Sequence, residues 1–101
     1  MRAFDHPCVA WLSTLCTEYR VITSGRCPKG TEIRSRAACS AAAKSLKLYD
    51  TSASFDEHDS VGYDPPFCYY EDGQLKFNSG GNFGSCTGVD QCLCGAYVRK
   101  F

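Results

Sequence analysis

The side chains in this sequence with the clearest chemistry are its cysteines, eight among 101 residues. A content this high is typical of a disulfide scaffold, and an even number allows every thiol to be paired. Persistent disulfides form in oxidising compartments, outside the cell or inside a lumen. Zinc binding is the alternative use of such thiols, but Cys86, Cys92 and Cys94 lack the paired Cys-x₂₋₄-Cys spacing of zinc sites. We therefore expect disulfides.

A second group of reactive side chains surrounds His58, in an acidic stretch that also contains Ser60. Catalysis by such groups requires hydrogen-bond geometry on a rigid support, and neighbouring residues of a Ser- and Asp-rich loop do not provide it. Residues 56–64 also lack the ligand spacing and the turn glycine of an EF-hand calcium loop. The sequence predicts no catalytic site, no metal site and no cofactor, and it leaves open whether the acidic loop binds calcium.

The elements that position the cysteines begin with a β-hairpin around Asp72-Gly73, the dipeptide that a two-residue type I′ turn prefers. The turn predicts four cross-strand pairs: Cys68 with Phe77, Tyr69 with Lys76, Tyr70 with Leu75, and Glu71 with Gln74. Because strand side chains alternate between faces, Cys68 then belongs to an apolar inner face. Phe67 and Tyr69 belong to a mostly polar outer face.

An alanine-rich helix over residues 36–48, capped by Ser35, is the strongest helix prediction. Cys39 lies on its apolar face, so we expect a Cys39–Cys68 disulfide between helix and hairpin. Residues 18–24 alternate and are β-branched, which predicts a strand.

A terminal strand over residues 91–98 places Cys92 and Cys94 on one face, with both thiols pointing inward. Cys27 and Cys86 are their remaining partners. We favour Cys86–Cys92 with Cys27–Cys94, and the swapped pairing is the alternative.

The N-terminal segment contains a further pair of cysteines, Cys8 and Cys16, and the sole tryptophan, Trp11. A short helix over residues 5–16 would hold the two thiols about 12 Å apart by helical rise. A disulfide needs Cα atoms within about 7 Å, so this helix and a Cys8–Cys16 bond exclude each other. We expect an extension over residues 1–18 and a cysteine-rich module over residues 19–101, within one domain.

These elements predict an α+β fold: a small disulfide-rich domain with one main helix on an antiparallel sheet that contains the hairpin. The net charge is zero, yet residues 20–47 have seven basic residues and one acidic, whereas residues 48–75 have seven acidic and none basic. Either the two segments neutralise each other or the asymmetry orients a partner. A neutral pI argues against nucleic-acid binding. No stretch is long and apolar enough for a membrane span, and no secretory leader is visible.

Several motifs together resemble an uncharacterised cysteine-rich repeat of predicted secreted proteins from dinoflagellates and other marine algae. The motifs are Ser24-Gly25-x-Cys27-Pro28, Ala38-Cys39-Ser40-x-Ala42-Ala43-x-x-Leu46, Pro65-Pro66-x-Cys68-Tyr69-Tyr70, Leu75-x-Phe77-Asn78 and Cys92-Leu93-Cys94. The resemblance covers about residues 19–98 and implies no activity. A helix bridged to an antiparallel sheet is also similar, at the level of fold, to PAN/apple modules.

The sequence therefore favours a non-enzymatic interaction module, a small accessory subunit of a larger assembly. The compartment is the extracellular surface or, from the algal resemblance, the thylakoid lumen, where the partner is a membrane complex such as a photosystem. The alternatives are a lectin-like glycan-binding domain of the cell surface and a secreted protease inhibitor or toxin. Aromatic and amide side chains outside the predicted core form the candidate contact surface. They are Trp11, Tyr63, Phe67, Tyr69, Asn78 and Phe83.

Overall fold

The computed structural model describes residues 15–56 and 60–100, with the backbone alone for residues 15–17 and 96–100. Its elements are β1 (Leu15–Ile22), α1 (Arg36–Ser45), β2 (Ser54–Phe55), β3 (Cys68–Glu71), β4 (Gln74–Phe77) and β5 (Gln91–Lys100). The strands form one five-stranded sheet in the order β1-β5-β3-β4-β2. The predicted α+β fold, with one helix packed on a disulfide-linked sheet, is confirmed.

Helix α1 begins at Arg36, as predicted, and ends at Ser45, three residues before the predicted end at residue 48. Ser35 is the N-cap, and its hydroxyl accepts a hydrogen bond from the Ala38 N–H at 3.0 Å. At the other end Lys47 has a φ of 60°, Lys47 N–H donates to Lys44 O, and Leu48 N–H donates to Ala43 O. This is a Schellman motif with lysine at the left-handed position that glycine usually occupies.

The hairpin of β3 and β4 has all four predicted cross-strand pairs. Asp72 and Gly73 have φ values of 53° and 73°, as a type I′ turn requires. The hairpin is not at the edge of the sheet, because β5 pairs with β3 on one side and β2 pairs with β4 on the other.

The sheet has two covered faces, although its strand pattern predicts only one. Leu93, Cys68 and Leu75 pack with α1 in the main core, together with Ile33 and Phe77. Tyr69 and Cys92 are cross-strand partners on the opposite face, and both are buried. The hairpin's polar outer face is therefore the inner wall of a second layer.

Three disulfides among the described residues connect these layers, and they are the pairings that we favoured from the sequence. Cys39–Cys68 joins α1 to β3, while Cys27–Cys94 and Cys86–Cys92 join loops to β5. Cα–Cα distances of 5.4–5.5 Å suit unstrained bonds. Disulfides of this number belong to an oxidising, non-cytosolic environment.

Two local predictions are wrong. The proposed helix over residues 5–16 does not reach its C-terminal end, because Leu15 and Cys16 already belong to β1. Residues 49–64, rich in Ser, Thr and Asp, were expected to be a loop, but they contain β2, which pairs in parallel with β4 and makes the sheet mixed.

Strand β2 forms because the residues on either side of it are hydrogen-bonded to α1 and to β4. The Ala53 N–H donates to Ser40 Oγ on α1 at 2.9 Å, and the Asp56 N–H donates to Phe77 O at 2.8 Å. The Phe55 ring meets the Phe77 ring edge-on, 6.2 Å between centroids. These contacts are tertiary and leave no periodic pattern in the sequence. No helix among the described residues has the length and apolarity that crossing a membrane requires.

Candidate functional site

Two loops form the second layer, on the sheet face opposite α1. The loops consist of residues 61–67 and 78–86. Two backbone hydrogen bonds join them, from Phe83 N–H to Val61 O and from Gly84 N–H to Asp64 O, both at 2.9 Å. A Cβ at Gly84 would lie 2.8 Å from the carbonyl oxygens of Gly62 and Asp64, so this approach requires glycine. The Cys86–Cys92 disulfide ties the second loop to β5.

Tyr69 holds this layer onto the sheet and is not a surface contact. It is 0% exposed, and its hydroxyl donates to Asp56 Oδ2 at 2.6 Å. Asn82 Nδ2 donates to the same oxygen at 3.2 Å. Burial, followed by the hydrogen bond to Asp56, raises the pKa of Tyr69 far above its usual value, so the phenol stays neutral. Its predicted place in the contact surface is wrong.

Asn78 is likewise internal, at 5% exposed, and was wrongly assigned to the contact surface. Its Oδ1 accepts hydrogen bonds from the N–H groups of Phe67 and Gly80, and its Nδ2 donates to Pro65 O at 3.0 Å. Phe67 has a φ of 69°, a left-handed conformation that costs about 1–2 kcal/mol for a residue with a side chain. Asn78 therefore fixes the unusual backbone that presents the Phe67 ring.

The residues that do reach the surface are Tyr63 and Phe83, whose exposed fractions are 63% and 57%. They lie on the two paired loops, and the Phe83 ring would contact a Cβ at Gly62, next to Tyr63. The Arg26 guanidinium donates a hydrogen bond to Phe83 O. We call Tyr63 and Phe83, together with the half-buried Phe67 that lines the neighbouring pocket, the aromatic surface.

A pocket of about 210 Å³ adjoins this surface. It is lined by Arg26, Cys27, Glu32, Pro66, Phe67, Gly80, Asn82, Cys86 and Cys92. Arg34 lies over the Phe67 ring, 5.0 Å from its centroid, and pairs with Glu32 at 3.5 Å. Two guanidinium groups thus accompany one carboxylate. Hydrogen bonds from its own N–H and from Gly30, together with Arg34, lower the pKa of Glu32 and keep that carboxylate charged.

A separate cluster of carboxylates lies at the turn end of the same sheet face. One carboxylate oxygen each from Asp64, Glu71 and Asp90 lie within 4.8 Å of one another. Glu71 ends β3, and Asp90 immediately precedes β5. Since Tyr70 pairs with Gln91, the next positions along the two strands place Glu71 opposite Asp90. Lys76 Nζ lies 3.2 Å from Glu71 Oε1 and is the nearby cation.

Asp90 is one of two buried members of this cluster, at 8% exposed beside 4% for Asp64. Thr87 holds it in place, since Thr87 Oγ1 accepts from Asp90 N–H at 2.9 Å. Burial, then repulsion from Glu71 and a carboxyl hydrogen bond with it, raises the pKa of Asp90 to about 6. Its Oδ1 is buried and has no hydrogen-bond partner within the part of the chain that the structure describes.

Some residues considered in the sequence lie outside the described part of the chain, and some residues of the site were not predicted. Trp11, Cys8 and His58 lie outside the described residues, and the Cys16 side chain does as well. The carboxylate cluster was missed, because Asp64, Glu71 and Asp90 meet only through the β3–β5 pairing, which the sequence does not indicate. The exposed Tyr49 and Phe55 were also missed.

Comparison of the chain with protein-family models, with curated proteins and with solved structures gave no match.

Proposed function

We propose that this chain is a non-catalytic, disulfide-stabilised interaction module that serves as a small accessory subunit of a larger protein assembly. The observation that carries the proposal is the aromatic surface beside its pocket. Tyr63 and Phe83 are exposed on loops whose backbones are paired, and the Cys86–Cys92 disulfide ties the second loop to β5. Rigid aromatic side chains lose little entropy on binding, which suits them to anchor a protein partner.

The chemistry of the pocket supports a particular kind of partner segment. Phe67 provides an apolar wall, while Arg26 and Arg34 add more positive charge than Glu32 balances. An apolar side chain followed by a carboxylate complements both features. The partner surface in this proposal is therefore a loop with an apolar residue next to Asp or Glu, on an extracellular or lumenal face of the assembly. A membrane complex such as an algal photosystem is the specific candidate in the lumen.

The test is affinity capture from solubilised membranes and from the soluble extracellular fraction, with the oxidised chain as bait. We expect a stoichiometric partner that is lost with a Tyr63→Ala/Phe83→Ala double variant. Tyr49→Ala is the matched control, because Tyr49 is 96% exposed but follows α1, away from the aromatic surface. Retention of the same partner by the double variant would contradict the assignment of the surface.

The alternatives separate in two further measurements on the same preparations. Binding on a glycan array that depends on Phe83 would support a lectin instead. Stoichiometric inhibition of a protease would support an inhibitor. A chain that gives neither result and captures no partner overturns the proposal that it is an interaction module.

A further inference from the structure

We propose that Asp64, Glu71 and Asp90 form a binding site for one calcium ion. The site is distinct from the aromatic surface and does not depend on any protein partner. Its ligands are all carboxylate oxygens, which suit hard cations such as calcium and magnesium and not thiolate-seeking metals.

Calcium suits this cluster better than magnesium, because calcium accepts flexible coordination geometry. Calcium–oxygen distances of about 2.3–2.6 Å place opposite ligands about 4.6–5.2 Å apart. The three oxygens lie within 4.8 Å of one another, which is within the span of two opposite ligands of one calcium ion. Magnesium, at about 2.0–2.1 Å and with strict octahedral geometry, demands a tighter arrangement.

The second observation is the unpartnered oxygen of Asp90. This side chain is 8% exposed, and its Oδ1 has no hydrogen-bond partner among residues 15–56 and 60–100. A buried carboxylate oxygen without a donor or cation is costly, and native proteins rarely leave one. A bound cation would satisfy this oxygen and offset the repulsion between Glu71 and Asp90, which face each other across paired strands.

The three ligands are also held by separate, well-anchored segments. Asp64 belongs to the loop that pairs with Gly84, Glu71 ends β3, and Asp90 is fixed by Thr87 before β5. Ligands held in this way lose little entropy when the ion binds. Lys76, which contacts Glu71 at 3.2 Å, is the cation that calcium would displace. Its side chain is 28% exposed and can turn towards solvent.

The experiment is isothermal titration of the oxidised, EDTA-treated chain with CaCl₂ at neutral pH, together with thermal melting. We expect one ion per chain with a Kd of about 0.1–1 mM, the range of extracellular calcium modules. The melting temperature should rise by several degrees in about 10 mM CaCl₂, because the ion binds only the folded chain. No binding heat and no rise in melting temperature would overturn the proposal.

Four variants make the test specific to this cluster. Asp90→Asn and Glu71→Gln should each abolish the calcium-dependent rise, while their melting temperatures in EDTA stay equal to or above that of the wild type, because a like charge has been removed. Asp72→Asn, at the neighbouring hairpin turn, should retain the calcium-dependent rise in melting temperature. Lys76→Gln should strengthen calcium binding several-fold, since the competing ammonium is gone.

Two results from these variants would overturn the proposal even if calcium binds. One is undiminished binding by Asp90→Asn, which would move the ion elsewhere. The other is loss of binding by Asp72→Asn to the same degree as by Asp90→Asn, which would indicate only diffuse attraction to negative charge. A matched titration with MgCl₂ that gives tighter binding than CaCl₂ would overturn the choice of calcium.

Discussion

Asn78 illustrates how a single side chain determines the shape of the surface beside it. Its amide satisfies the N–H groups of Phe67 and Gly80 and the carbonyl of Pro65. A polar residue after a strand is an ordinary loop signal, so the sequence suggested an exposed contact. The hydrogen bonds with Phe67 and Pro65 join segments 11 and 13 residues apart, and only the folded backbone brings these groups within reach.

We expect Asn78→Ala to lower the free energy of unfolding by about 2–3 kcal/mol, because it leaves buried backbone groups without partners. Urea denaturation checks this value. Ser79→Ala, the exposed neighbour, is the control and should change stability by less than about 0.5 kcal/mol. Equal effects of the two substitutions would mean that Asn78 does not hold the loop.

Asp50 gives a prediction that depends on pH. Its two oxygens accept hydrogen bonds from the N–H groups of Leu75 and Ser52, both at 2.9 Å, and these bonds lower its pKa below the ordinary 3.8. A depressed pKa means that the folded state binds this proton more weakly than the unfolded state. The resulting stability is present above pH 3.8 and is lost as the pH falls through the lower, folded-state value.

Asp50→Asn should therefore cost about 1–2 kcal/mol at neutral pH, and the difference from the wild type should shrink in acid. Urea midpoints measured from pH 7 down to about pH 2.5 test the expectation. A difference that stays constant across this range would show that the carboxylate charge contributes nothing.

At the scale of elements, the parts of the fold that local chemistry dictates are predictable from the sequence. The Asp72-Gly73 turn determines the register of its own hairpin, and Ser35 with the alanines defines the start of α1. The pairing of β5 with β3 depends on contacts distant in the chain, and so does β2. The second layer was missed for the same reason: Tyr69 alternates with Cys68 as an outward residue, and nothing in its own strand indicates that loops cover it.

The end of α1 offers a direct test of backbone strain. Lys47 adopts a φ of 60°, which glycine tolerates without cost. We expect Lys47→Gly to raise the free energy of unfolding by about 1 kcal/mol. Lys44→Gly, the same change inside the last turn, should lower it by about 1 kcal/mol. Thermal and urea unfolding of the two variants test whether their free energies of unfolding change in opposite directions. A similar decrease in both variants would contradict the Schellman motif.

At the scale of the whole molecule, the disulfides should differ in how much they stabilise the fold. The chain-entropy model relates stabilisation to the length of the closed loop. Sequence separations of 67, 29 and 6 residues for Cys27–Cys94, Cys39–Cys68 and Cys86–Cys92 correspond to about 4.4, 3.6 and 2.2 kcal/mol. Of the six cysteines in these bonds, all except Cys27 are buried. The cost of the cavities left by Cys→Ala substitutions is therefore similar for the three pairs.

Paired Cys→Ala variants, compared by urea denaturation, should follow that order of destabilisation. Cys39→Ser alone should melt well below the wild type, because it breaks the link between helix and sheet. A larger loss for the Cys86–Cys92 pair than for the Cys27–Cys94 pair would contradict the entropic explanation. Mass spectrometry of the intact, unreduced protein checks that the remaining bonds have formed.

The position of β5 has a consequence for biosynthesis. This strand lies between β1 and β3, yet it is the last described strand to leave the ribosome. Two of the three disulfides that the structure describes end on it, at Cys92 and Cys94. Until it emerges, Cys27 and Cys86 have no native partner and the hairpin has an open edge. The native sheet and these two disulfides therefore cannot be completed before β5 has been synthesised.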